Sequence, residues 1–117
     1  YLLIQFLFVA INTCSYFNET CRCIDINPIT KQIRCTDFSN ESKNFPDLRK
    51  LKNLVTKISY NIEITNKIYK YIPNYSFQFI RIPTLKLSSN NIEFIEEYGF
   101  YGVEELKSLD IKDNKLK

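Results

Sequence analysis

All four cysteines of this chain fall within residues 14–35, as Cys14, Cys21, Cys23 and Cys35, in the order C-x6-C-x-C-x11-C. Thiols gathered this way can hold a metal, exchange electrons or close disulfides. Structural zinc sites favour C-x2-C knuckles, whose two intervening residues let both thiolates turn toward one ion. Here the close pair is C-x-C, and the chain has no histidine to complete a ligand set. A thioredoxin-like site needs C-x-x-C, which is also absent. An even number of cysteines behind an apolar N-terminus reads instead as a disulfide framework. Pairing Cys21 with Cys23 would close a very small strained ring, which removes one of the three connectivities. Two remain open: Cys14–Cys23 with Cys21–Cys35, or Cys14–Cys21 with Cys23–Cys35. Each closed loop is worth about 2–4 kcal/mol.

Other chemistry finds little support. Without histidine, Ser-His-Asp and Cys-His arrangements are impossible within these residues. The paired carboxylates of "EFIEE" (93–97) read as a solvated face, and with two glycines the chain has no phosphate-cradling loop. The expectation is a protein that is not an enzyme and takes no cofactor, metal or small-molecule substrate. The net charge of +3 is spread along the chain, and the densest basic stretch, "LRKLKN" (48–53), is short. Nucleic-acid binding calls for a concentrated basic stripe, so no nucleic-acid partner is expected.

The thiols must be positioned by what surrounds them, and the N-terminal side speaks to compartment. "YLLIQFLFVAI" (1–11) is apolar except for Gln5 and gives way at once to polar residues. A membrane span needs about 20 apolar residues, whereas a secretory h-region needs roughly 7–15. Residues 1–13 therefore read as a signal peptide with a truncated start, cleaved after Asn12, Thr13 or Ser15; the rival readings are an uncleaved membrane anchor and a core element. Sequons at Asn18, Asn40 and Asn74 agree with export. The chain begins with Tyr1 and ends in "DNKLK", which reads as a fragment at both ends. The expected location is extracellular, as a secreted protein or a cell-surface ectodomain. Membrane attachment would come only through missing sequence or an uncleaved N-terminus.

The other side of the cysteines carries repeats. "LKLSSNNIEFIEEYGF" (85–100) reads L-x-L-x-x-N-x-I-x-x-I-x-x-x-x-F, and the pattern restarts at Leu109. Leu85 matches Leu109, Leu87 matches Ile111, Asn90 matches Asn114 and Ile92 matches Leu116. Upstream, Ile62, Ile64, Ile72 and Phe77 keep the register at a 23-residue offset from Leu85, Leu87, Ile95 and Phe100. There Lys67 fills the asparagine slot, with Asn66 one place early. An L-x-L stretch is a short strand sending alternate side chains into one core. An asparagine just after it can satisfy backbone groups where the chain turns away.

Units of this length and form resemble leucine-rich repeats. The cysteine order of residues 14–35 resembles the N-terminal cap of extracellular members of that family, and "IRCTDFSNESKNFPDL" (33–48) is similar to its short strand and phenylalanine-proline exit. The resemblance implies an α/β-type leucine-rich-repeat solenoid: short parallel strands on a concave face, an irregular or short helical convex side, and a disulfide-bonded N-terminal cap paired Cys14–Cys23 and Cys21–Cys35. Residues 14–48 are then the cap, 49–61 a transition and 62–117 repeats, the array incomplete at its C-terminus. Within the transition, Leu48, Leu51, Leu54 and Ile58 are spaced like one turn-rich or helical segment.

The resemblance further implies an extracellular protein-binding module from a receptor, adhesion or matrix protein. Its concave face would be lined by Asn61, Glu63 and Thr65, then Thr84, Lys86 and Ser88, then Ser108, Asp110 and Lys112. These are polar and lack the aromatic or arginine anchors of a hot spot. Two alternatives are carried: a purely structural capping segment with binding in missing repeats, and the ectodomain of a signalling receptor with an enzymatic intracellular part. Tyr69, Tyr71, Tyr75, Phe79, Tyr98 and Tyr101 fall on the descending or convex side, as packing and edge cover or as a second binding face. A stack this short is expected to be marginal alone and to depend on its disulfides.

Overall fold

The computed structural model describes residues 12–14, 21–36, 45–51 and 58–117. Residues 1–11, most of the segment read as a signal peptide, lie outside them, as do Asn18, Asn40 and Leu54.

One six-stranded sheet organises the chain, in the order β1-β2-β3-β4-β6-β8. Strands β1 (Asn12–Cys14), β2 (Cys21–Asn27) and β3 (Thr30–Cys35) pair antiparallel, and β4 (Ser59–Ile64), β6 (Thr84–Lys86) and β8 (Ser108–Asp110) continue the sheet in parallel from β3. The β2–β3 turn is closed by the amide of Ile29 donating to Asn27 Oδ1 at 2.9 Å, an Asx turn of the kind asparagine favours. A second sheet on the returning side pairs β5 (Tyr71–Ile72) with β7 (Phe94–Ile95). The described residues hold no α-helix; the returning side is turns and this two-stranded sheet, and a 3-10 turn spans Leu48–Leu51. At the start of that turn Asp47 accepts from the Arg49 amide and guanidinium. That hydrogen bond, then the charge of Asp47, raises the Arg49 pKa above its ordinary value.

Period-two alternation drives the strands. Along β4, Tyr60, Ile62 and Ile64 are buried while Ser59, Asn61 and Glu63 are partly open. Parallel pairing sets Ile33 beside Ile62, Ile62 beside Leu85, and Leu85 beside Leu109. Offsets of 23 and 24 residues, legible as a repeat, are thus the pairing register. The extra residue of the second unit falls between Glu104, still bridged to Arg81, and Ser108, which pairs with Thr84. Glu105 lies in that interval with a φ of 57°. Strand β4 starts at Ser59, three residues before the first repeat position, because β3 offers a partner along its whole length from Thr30.

The core runs between the two sheets. Ile33, Ile64, Tyr69, Ile72, Phe77, Leu85, Leu87 and Ile92 have no exposed surface. Phe77 stacks on Phe100, its match one unit on. Phe45, from the phenylalanine-proline segment, packs edge-on against Tyr69 and Phe77 at 5.3 and 5.5 Å between ring centres. That closes the aromatic column from the cysteine-bearing side.

An asparagine ladder locks the register. Asn90 is fully buried; its Oδ1 accepts the Lys67 amide at 3.0 Å, and its Nδ2 donates to the carbonyls of Ile64 (2.6 Å) and Leu87 (2.9 Å). One unit on, Asn114 Oδ1 accepts the amides of Asn90 and Ile92, and its Nδ2 donates to Leu87 and Ile111. Each asparagine therefore binds the backbone of its own turn and of the preceding unit. The first unit, with Lys67 in the slot, does this differently: Asn66, at φ 63°, donates from Nδ2 to Thr36 O at 3.0 Å. The early asparagine is the rung onto the cysteine-bearing strands.

Close packing between the second-sheet strand and its turn requires Gly99. A Cβ there would lie 2.5 Å from Ile95 Cγ2 and 3.1 Å from Glu96 O. Gly99→Ala is expected to destabilise the fold by about 1–3 kcal/mol through overpacking, read as a lower denaturant midpoint.

Candidate protein-binding face

Residues between the inward positions share the outer face of the large sheet, and register aligns them in rows. Gln32, Asn61, Thr84 and Ser108 form a neutral row. Beside it runs a charged row: Arg22 opposite Arg34, Arg34 beside Glu63, Glu63 beside Lys86, and Lys86 beside Asp110.

The row is partly self-neutralised. Arg34 Nε lies 3.4 Å from Glu63 Oε1, and Lys112 Nζ lies 3.8 Å from Asp110 Oδ2. Lys86 sits between two carboxylates that each already have a cation. It is exposed, and among the described residues it forms no ion pair. Arg22 is also exposed and, among the described residues, forms no ion pair, and it opposes a second arginine. Like charges in that position repel.

Of the residues expected on this face, Glu63, Thr84, Lys86, Ser108, Asp110 and Lys112 reach it, together with Asn61. Thr65 and Ser88 do not, being 8% and 7% exposed. The backbone turns left-handed directly after them, at Asn66 and Ser89, with φ values of 63° and 61°.

Sequence reasoning missed the contribution of β2 and β3. Cys21 and Cys35 are buried and joined by a disulfide, and Cys23 is also disulfide-bonded. With Cys21 and Cys23 turned inward, period-two alternation sends Arg22 and Ile24 outward onto the face shared with Arg34 and Gln32. Ile26 and Ile29, both more than half exposed, follow at the hairpin tip. The signal was present in "CRCI": bridged cysteines two apart fix the direction of the residue between them.

The described residues contain no group of three or more potential metal ligands. They contain no helix long and apolar enough to cross a membrane.

Comparison with known proteins adds one finding. A 47-residue stretch is 47% identical to leucine-rich repeat-containing protein 3B from Bos taurus, Mus musculus and Homo sapiens, covering 38% of this chain and 18% of each relative. The likeness supports a leucine-rich-repeat protein. The chain spans less than a fifth of the length of these relatives. No family model matches it, and no solved structure matches it significantly. The paired L-x-L strands and the asparagine ladder are compatible with the same leucine-rich-repeat assignment.

Proposed function

We propose that this chain is the disulfide-bonded cap and first repeats of an extracellular leucine-rich-repeat solenoid, in a receptor, adhesion or matrix protein. It binds a protein ligand through the outer face of the large sheet. The carrying observation is the charged row from Arg22 to Asp110, flanked by Ile24, Ile26 and Ile29. Ile26 and Ile29, exposed near cations that form no ion pair among the described residues, make a better recognition surface than the polar repeat positions alone, since arginine and apolar anchors carry most interface energy. The function needs no catalysis, cofactor, nucleic acid or small-molecule substrate. Residues 1–13 direct export, and Cys23 pairs with Cys14, the other cysteine outside the Cys21–Cys35 bridge.

A second reading has its own support. The Arg34–Glu63 and Asp110–Lys112 pairs use up much of the face's charge. A self-satisfied face fits a purely structural cap with binding in repeats beyond this chain. An enzymatic intracellular part, as in a signalling receptor, would also lie beyond it.

The test is a screen of the oxidised chain against an array of secreted and cell-surface ectodomains, repeated with Arg22→Glu and Lys86→Glu. For a ligand on this face, each reversal is expected to weaken binding at least tenfold, about 1.4 kcal/mol, with much of the change in on-rate and salt dependence. A specific binder indifferent to both reversals favours the structural reading.

A further inference from the structure

The returning side carries an aromatic cluster that the sheet-face reading does not use. Tyr71 stacks on Phe94 at 5.1 Å between ring centres with planes 4° apart, and Tyr75 stacks on Tyr98 at 5.7 Å, also 4°. Tyr101 stands edge-on to both Tyr75 and Tyr98. Each of these rings is more than a third exposed. Stacked pairs add to stability beyond their area, but exposed aromatic rings grouped as Tyr75, Tyr98 and Tyr101 are leave apolar faces open that a covering group would bury.

Asn74 lies beside Tyr75 and heads the sequon Asn74-Tyr75-Ser76. Its side chain is exposed, and its Oδ1 accepts the Tyr98 amide at 2.7 Å. The adjacent Tyr75 amide donates to Tyr98 O at 2.9 Å. Asn74 is therefore clamped to the residue whose ring forms half of the stack. Among the described residues, no hydrogen bond uses Asn74 Nδ2. Ser76 Oγ donates to Pro73 O at 2.6 Å, and Tyr75 takes a φ of 61°. The turn thus has a fixed shape, with one amide nitrogen open to solvent.

We infer that Asn74 carries an N-linked glycan whose first sugars lie over the Tyr75–Tyr98–Tyr101 cluster and cover it. A pyranose presents one face of C–H bonds that packs on aromatic rings, while its hydroxyls meet the tyrosine hydroxyls and water. A glycan anchored beside Tyr75 and Tyr98 also keeps a docking protein off these rings. In the covalent step, Asn74 Nδ2 attacks the anomeric carbon of a lipid-linked diphosphate oligosaccharide. The N–C bond forms as the C–O bond to phosphate breaks, and the amide gives up one proton as the lipid diphosphate leaves. The modification rests on the export reading proposed above, because that donor and its transferase act in the secretory pathway.

The full chain, secreted from a eukaryotic cell behind a supplied leader, is mapped by peptide mass spectrometry. Asn74 is expected to carry glycan, and Ser76→Thr to preserve it. In an Asn18→Gln/Asn40→Gln background, the occupied and unoccupied forms of one preparation are separated on a lectin and nitrated at tyrosine. Nitration of Tyr75 and Tyr98 is expected to fall severalfold in the occupied form. An unoccupied Asn74, or occupancy with equal nitration in the two forms, overturns the inference. Export is scored separately, by whether residues 1–13 secrete a reporter; because the leader is supplied, failure of one test does not imply failure of the other.

Discussion

Replacing Asn90 with leucine is expected to lower the unfolding free energy of the oxidised chain by about 3–5 kcal/mol. Leucine keeps the volume, so packing around the site changes little. What is lost is the partner of three backbone groups: the Lys67 amide and the carbonyls of Ile64 and Leu87. Asn90 has no exposed surface, so water cannot replace it, and a buried group left without a partner costs about 1–3 kcal/mol. Denaturant unfolding followed by circular dichroism measures the change. Asn114→Leu is the informative control. Asn114 has more hydrogen bonds but is only partly buried. If burial governs the cost, Asn114→Leu costs about half as much, in the range of bonds that water can replace. An equal or larger loss for Asn114→Leu would mean that bond number, not desolvation, sets the energy.

The same residue shows why part of the fold was legible. A buried asparagine at a fixed place after L-x-L has one structural use, and its recurrence with leucine, isoleucine and phenylalanine columns matches the pairing of β4, β6 and β8. Phe77 and Phe100 were aligned by spacing and lie stacked in space. The shifted Asn66 was visible as an irregularity, but its partner, Thr36 O, was not. That bond crosses 30 residues of sequence, and no local pattern encodes it.

The candidate face was only half legible. Lys86 and Asp110 follow from the strand period. Thr65 and Ser88 obey the same period yet are buried, while Lys112, one unit beyond Ser88 and also followed by left-handed backbone, is exposed. The strand period sets which way a side chain faces and not how far its neighbours cover it, so sequence gives little warning of the difference. Arg22, Ile24 and Ile26 were hidden by the antiparallel hairpin, whose register depends on which cysteines bond. Tyr71 with Phe94 and Tyr75 with Tyr98 keep the 23-residue offset of the aliphatic columns, so the stacked pairs could have been read from spacing.

Removing the Cys21–Cys35 bridge, as Cys21→Ala/Cys35→Ala, is expected to cost about 3–5 kcal/mol. The sequence separation is 14 residues, and cross-linking a loop of that length restrains the unfolded chain by about 3 kcal/mol. Both cysteines are also core residues, 1% and 0% exposed, so shortening them to alanine removes buried contacts as well. The loss has a direction along the sheet. The bridge ties β2 to β3; β3 supplies Ile33, which covers Ile62, and its carbonyl at Cys35 accepts the Thr65 amide. Hydrogen exchange should therefore quicken most at β2 and β3, less at β4, and least at β8, which contacts the hairpin nowhere in the sheet order. Binding through Arg22 and Ile24 should weaken with it, while Lys86 and Asp110 stay in place. An unchanged midpoint would show that the hairpin holds by packing alone. A uniform rise in exchange would show that the chain unfolds as one unit, with the bridge acting on the unfolded state and not on a separable N-terminal layer.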